Sequence, residues 1–398
     1  MASIPRSARR PSPPAVKLSL NDPFVRSILY QVLVVGGVAL IVWYLVSNTM
    51  ANMEARKIAS GFGFLNREAG FAISEHSIDY SPADSYFRAL VVGVLNTLLV
   101  AFLGIVLATI LGTVIGIGRL AKNWLIAKIC SVYVEVMRNL PLAVQLFFWY
   151  AMIIENLPGP RQALNPLPGV FLSARGIMIP VPASDPLNMW ILIALLMGIL
   201  GTIGVSRWAS ARQAATGQQF PMMRAGAALI LGLPLITWLL GGAPTTLDWP
   251  ELRGFNFQGG GSLSPEFAAL LIGLVTYTAA FIAEIVRSGI LAVSHGQTEA
   301  ASALGLRRSL TLRLVVLPQA LRVIIPPMIS QYLNITKNSS LAVLIGYPDI
   351  VSIANTALNQ TGQAIEGIAI IMMVYLTVSL SIAAFGNWYN KRIALVER

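Results

Sequence analysis

Residues 296–322 read GQTEAASALGLRRSLTLRLVVLPQALR, a polar stretch with four arginines and one glutamate between two strongly apolar runs. Residues 297–304 are spaced as a short helix with Glu299 in its first turn, where the helix dipole favours an anion. Gly305 follows where a left-handed turn ends a helix. Leu306, Leu310, Leu314, Leu317 and Leu321 recur at threes and fours, which predicts a second helix starting at once, and Pro318 marks the passage into the next apolar run. Two readings of this helix, tight turn and helix stand on pattern alone. It is an amphipathic linker with its arginines towards lipid phosphates, or a docking element for a partner.

The surroundings place the stretch at a membrane. The chain has 398 residues, of which 56% are hydrophobic and 11% charged, with a mean hydropathy of +0.70. Soluble domains carry about a quarter charged residues. Apolar runs long enough to span hydrocarbon, about 20 residues each, occur at 28–47, 87–118, 129–154, 188–206, 224–242, 266–293, 320–346 and 364–388. The expected fold class is all-α, a polytopic membrane protein of about eight transmembrane helices.

A formal charge of +11 raises nucleic acid as a partner. The distribution excludes it. With the N-terminus in the cytoplasm, most Lys and Arg fall on inner segments, among them Arg9, Arg10, Arg119, Lys122, Arg207, Arg212, Arg307, Arg308, Lys391 and Arg392. That is the positive-inside pattern with both termini cytoplasmic, and the partner is the lipid bilayer.

One cysteine, Cys130, excludes an internal disulfide, and His76 and His295 build no metal site alone. No Gly-Lys pair occurs, so a phosphate-cradling loop of the P-loop type is missing. No Ser, His and Asp set or paired carboxylates stand at a recognisable spacing, so catalytic residues and metal ligands are both read as none.

Residues 1–27, rich in Pro, Ser and Arg, read as a disordered cytoplasmic tail. Residues 28–86 form an extra N-terminal helix and an outer loop, 48–86, long enough to fold against the membrane surface. The segments 155–187 and 243–265, with seven prolines in the first and Gly259, Gly260 and Gly261 in the second, read as outer loops. No internal repeat is visible, which gives an inverted-repeat transporter no support.

Resemblance narrows the reading. Glu299-Ala300-Ala301, Gly305, Val315 and Leu317-Pro318 resemble the EAA loop of bacterial ABC importer permeases, with Val where that pattern usually has Ile. FIAEIVRSGILAVSHGQTEAASALGL, LPQALRVIIPPM, ITKNSSLAVLIG and EVMRNLPLAVQLFFWY are similar to the polar amino-acid subfamily of those permeases. Where that subfamily commonly has Arg-Gly-Thr-Pro, this chain has Arg138-Asn139-Leu140-Pro141. The resemblance covers 87–155 and 265–392, leaves 156–264 as an insertion with two additional spans, and resembles the long permease subunits of general L-amino-acid importers.

The resemblance implies an ABC importer permease fold with extra helices, in the cell inner membrane. It implies a cytoplasmic coupling loop at 294–318 whose contact residues are Glu299, Ala300, Ala301, Gly305, Leu317 and Pro318. It implies as partners ABC ATPase subunits that bind ATP and Mg, a second, related permease, a periplasmic amino-acid-binding protein and an L-amino acid substrate. No cofactor is implied for this chain.

Charges near the spans offer pathway candidates. Glu135 with Arg138 and Glu284 with Arg287 stand three apart, so each pair can share a helix face, either to pair structurally or to line the pathway. The seventh span holds Pro326 and Pro327, then Asn334, Thr336, Lys337, Asn338, Ser339 and Ser340, and is expected to break midway and line a hydrated cavity. A secondary transporter or channel without ATPase subunits is the competing class, and it leaves the Glu299 to Pro318 spacing unexplained.

Overall fold

The computed structural model describes residues 23–56, 60–183 and 185–393. Of the expected tail, residues 1–22 lie outside the described residues, and 23–27 belong to helix α1, Pro23–Ala55. Proline suits the opening of a helix, where its missing N–H has no partner to lose, and residues 48–55 contain no Gly or Pro to stop it. The helix is therefore longer than the expected span at both ends. It buries no residue.

The core is built by α2 (Tyr86–Gly118), α3 (Trp124–Asn139), α4 (Leu142–Asn156), α7 (Pro265–Leu291), α10 (Leu317–Asn338), α11 (Ile350–Thr361) and α12 (Ala364–Ile393). The long α2, capped by Ser85, whose hydroxyl accepts from the Arg88 N–H, runs against α7 through small residues. Ala279, Ile282 and Ala283 of α7 are fully buried. At 33 residues α2 is about 50 Å long, more than the ~30 Å hydrocarbon core, so its ends reach the headgroup layers.

The expected single span at 129–154 is instead two helices, α3 and α4, bent by 107°. Pro141 supplies no N–H to continue the ladder, and Leu140 before it is extended, as a residue preceding proline prefers. The buried Gln145 side chain donates to Met137 O at 3.0 Å and Leu140 O at 3.1 Å, satisfying carbonyls that the break sets free. Among the described residues, seven helices are long and apolar enough to cross a membrane, or eight with this bent pair as one span.

The seventh span does not break at Pro326 and Pro327. α10 continues through both to Asn338, and the unwinding comes later, in the 3-10 segment Ser339–Ile345 that ends at Gly346 with φ 82°. Below α10 the backbone is helical from α9 (Arg308–Thr311) through a π-turn at Leu312–Val316, so the second helix of the opening stretch merges with the span.

Residues 156–264 contribute α5 (Leu187–Thr216) and α6 (Met222–Leu240), which pack chiefly against each other. A Cβ on Gly198 would lie 2.5 Å from Leu229 O, so the two backbones touch. The segments read as loops form small antiparallel sheets: β1 (Leu164–Leu167), β2 (Val170–Ser173), β3 (Gly176–Ile179) and β8 (Gly261–Leu263) make four strands. β4 (Val181–Pro182) pairs with β5 (Leu247–Asp248), and β6 (Glu251–Arg253) with β7 (Asn256–Gln258). Their strands are two to four residues long, too short for alternation to show against seven prolines. The architecture remains mostly helical.

The outer loop after α1 folds onto the core. Phe64, Ala69 and Ile73 pack with Ile350, Ile353 and Ala354 of α11. Asn96 of α2 donates to Glu75 O at 2.8 Å and Pro348 O at 2.9 Å, and the Ser264 hydroxyl donates to the Glu75 carboxylate at 2.5 Å.

Asp349 caps α11, accepting from Ser352 N at 2.8 Å, and burial pushes its carboxyl from an ordinary 3.8 up to about 6. The folded protein holds this proton more tightly than the unfolded chain, so the linked stability is full below about pH 4 and lost as pH rises to about 6. Burial also raises Glu75, in the same direction. The thermal midpoint is expected to fall across that window by an amount worth up to about 3 kcal/mol. Asp349→Asn should flatten the slope, as a melting series from pH 4 to pH 7 would read.

Candidate functional site

The stretch at 294–318 is set by a helix end of known chemistry. Helix α8 (His295–Ala303) follows Ser294, and Leu304 caps it. Gly305 takes φ 74°; its N–H donates to Ser302 O at 2.9 Å, and Leu306 N–H donates to Ala301 O at 3.1 Å. This is the Schellman pair of bonds, with glycine at the left-handed position. A side chain at Gly305 would meet nothing within 4 Å, so the glycine is required by the backbone and not by packing.

Glu299 stands in the second turn of α8, because the helix begins at His295 and has no acidic residue in its first turn. Its side chain is exposed and lies 3.3 Å from His295 Nδ1 across one turn, at the surface. Ala301 is buried and Ala300 exposed. Leu304 is 81% exposed at the tip of the turn, beside the exposed Arg307 and Arg308. Gln319 Nε2 donates to Gln297 Oε1 at 3.2 Å, tying the start of α10, where Leu317 and Pro318 are exposed, to α8. An apolar tip flanked by cations can enter a cleft of a partner and pass movement into α7 and α10, which flank it.

The charged residues regroup. Glu135 and Arg138 do not pair: Glu135 is exposed, and Arg138 turns to Glu284 at 3.9 Å and lies over the Phe281 ring at 5.2 Å. Glu284 and Arg287 do pair, at 3.3 Å. Glu284 also bonds Arg119, the residue after α2, whose side chain is only 12% exposed. One carboxylate thus holds three guanidinium groups from the ends of α2, α3 and α7. Arg119 was legible in sequence only as topology, since it is the first cation after a long apolar run. Its partner lies 165 residues away.

Glu284→Gln is expected to lower stability by about 2 kcal/mol, because it leaves Arg119 buried without its counter-charge. Arg138→Gln should cost less, since its contact is longer and more open to solvent. Melting of the three single variants, Arg119→Gln included, checks the order.

On α10 the polar residues divide. Thr336 and Ser339 are buried and bond backward, to Tyr332 O at 2.9 Å and Thr336 O at 2.7 Å, so their hydroxyls are taken up by the backbone. Asn334 and Lys337 are exposed on one face, Asn338 is half-buried, and Ser340 donates to Lys337 O at 2.7 Å.

A family model described as the binding-protein-dependent transport system inner membrane component matches residues 104–395. The chain is 53% identical over 382 residues to the putative amino-acid ABC transporter permease protein YhdX of Escherichia coli, covering 96% of this chain and 97% of that protein. It is 50% identical over 380 residues to the general L-amino acid transport system permease protein AapQ of Rhizobium johnstonii, covering 96% and 95%. It is 44% identical over 416 residues to the glutamate/glutamine/aspartate/asparagine transport system permease protein BztB of Rhodobacter capsulatus, covering 96% and 97%.

Proposed function

The chain belongs to the family of binding-protein-dependent transport system inner membrane components, and from that membership we propose that it is the ABC permease subunit through which L-amino acids cross the cell inner membrane. The names of the three relatives support this cargo. Partner ATPase subunits, which bind ATP and Mg, dock on the loop at 294–318 through Glu299, Ala300, Leu304 and the Gly305 turn, while Ala301 packs inward and Leu317 and Pro318 carry the motion into α10. Both termini lie in the cytoplasm. A periplasmic amino-acid-binding protein delivers substrate at the opposite face, and a second, related permease completes the pathway. Residues 87–155 and 265–392 form the permease core; 28–86 and 156–264 are additions around it.

The observation that carries this reading is the exposed Leu304 tip, held by the Schellman turn at Gly305. It supports coupling because a two-state partner must grip the loop for ATP to bias the pathway. Glu135, Arg138, Asn334 and Lys337 are assigned to the pathway face; Glu284 and Arg287 hold the helices beneath it, with Asn338 at its edge. The test is purification of the full chain with its co-expressed partners in nanodiscs. ATP hydrolysis stimulated by the loaded binding protein is expected. A complex without an associated ATPase overturns the reading in favour of a secondary transporter. Unchanged substrate affinity and uptake in Lys337→Met would remove Lys337 from the pathway.

A further inference from the structure

A groove of about 390 Å³ lies between α2, α7, α10 and α12, running from mid-helix towards the ends that carry the loop at 294–318. Val286, Ile325, Met328 and Phe385 form its walls. At its deep end the polar groups are the hydroxyls of Thr109, Thr113 and Tyr332, and those of Thr109 and Tyr332 are hydrogen-bonded to each other at 3.1 Å. Water gains nothing against such a wall, and an apolar groove left empty forfeits the dispersion contacts of its lining. At this depth the medium is hydrocarbon, so the material that fits is an acyl chain.

The mouth has the chemistry of a headgroup layer. Tyr389 lines it and Trp388 neighbours it on α12, the aromatic types that gather at membrane–water boundaries. Arg322 stands three residues before Ile325 and seven before Ile329, on the α10 face that lines the groove. It is exposed and makes no ion pair among the described residues. A guanidinium there can take a phosphate in a bidentate, charge-assisted pair.

We propose that this groove binds one acyl chain of a membrane phospholipid, with Arg322 holding its phosphate at the mouth. The orientation proposed above makes it a cytoplasmic-leaflet lipid; the site itself does not depend on the cargo. Bound there, the lipid bridges α10 and α12, helices already in contact where a Cβ on Gly386 would lie 2.6 Å from the Ile329 side chain.

The test uses the full chain purified with its co-expressed partners, delipidated, supplied with dioleoylphosphatidylglycerol and read by native mass spectrometry. One retained phospholipid is expected. Ile325→Trp, which fills the groove, should lose it, and Arg322→Gln should lower its occupancy. Leu231→Trp, on the exposed side of α6, should leave it unchanged. Glycerol phosphate, which has the headgroup without the chain, should not displace the lipid, whereas a single-chain lysophospholipid should.

Retention equal in wild type and both groove variants overturns the proposal. So does displacement by glycerol phosphate, which would make the site a phosphate site alone. Cross-linking of Ile325→Cys, in a Cys130→Ser background, to a partner chain also overturns it by showing that protein covers the groove. Should Ile325→Trp fail to assemble, the exposed Arg322→Gln decides: unchanged occupancy rejects the phosphate contact and with it the site.

Discussion

Gly305→Val abolishes coupled transport while the chain still inserts, folds and melts as the wild type does within about 1–2 kcal/mol: this is the expected result at the turn after α8. A β-branched residue at φ 74° costs about that much, because its Cβ crowds the following carbonyl. The cost is not one of packing, since a Cβ there meets nothing within 4 Å. Relief comes by unwinding the turn, which breaks the Gly305 and Leu306 bonds to Ser302 and Ala301 and moves the Leu304 tip from the place proposed for docking. The bundle, whose contacts lie elsewhere, is left intact.

Gly305→Asn separates conformation from size. Asparagine visits the left-handed region more readily than other side-chain residues and should retain most of the coupling. ATP hydrolysis stimulated by the loaded binding protein, measured beside basal hydrolysis and complex yield, reads the difference. Loss of yield in step with activity would show that the turn supports folding and not coupling.

The second large effect lies within the bilayer. In Gly112→Leu, the new Cβ would sit 2.7 Å from the Ile282 side chain and 2.8 Å from Ala279 O, both on α7. One turn on, a Cβ at Gly116 would sit 2.7 Å from Ala283 O, so the seam has no slack along this face. Helices in lipid associate by close van der Waals contact, and small residues permit the approach. Overpacking typically costs about 1–3 kcal/mol, and a clash with backbone raises it because a carbonyl cannot change rotamer. The variant should therefore be recovered mostly as aggregate, and fluorescence-detected size exclusion is the measurement. Adding Ile282→Ala should restore only part of the yield, since it removes the side-chain clash and leaves the Ala279 carbonyl in place.

Much of the helical layout was legible because a membrane span announces itself by length and hydropathy alone. The Gly305 turn could be read because glycine after a short helix has one strongly preferred geometry. Three features were not. The bend at Pro141 falls inside a run apolar enough to cross in one pass, and what stabilises it is Gln145 reaching back to two freed carbonyls. Pro326 and Pro327 suggested a break that the helix does not make. Thr336 and Ser339 read as pathway residues by polarity, but polarity does not say which way a hydroxyl turns, and both turn to the backbone.

The charges show the division most clearly. Spacing of three permits Glu135 with Arg138 as readily as Glu284 with Arg287, and only the second pair forms. The difference is not local: Arg119 arrives from the end of α2 and Arg138 from the end of α3, so that Glu284 becomes the shared counter-ion and Glu135 is left exposed. The sequence by itself determined the solvent, the places of the long apolar runs and the geometry of the turn at Gly305. These follow from transfer free energy and backbone sterics, which act on each segment separately. The tertiary structure alone decided which carboxylate meets which arginine, which hydroxyls are satisfied and where a groove opens among α2, α7, α10 and α12. Those depend on side chains brought together from segments far apart in the chain, whose partners no local pattern specifies.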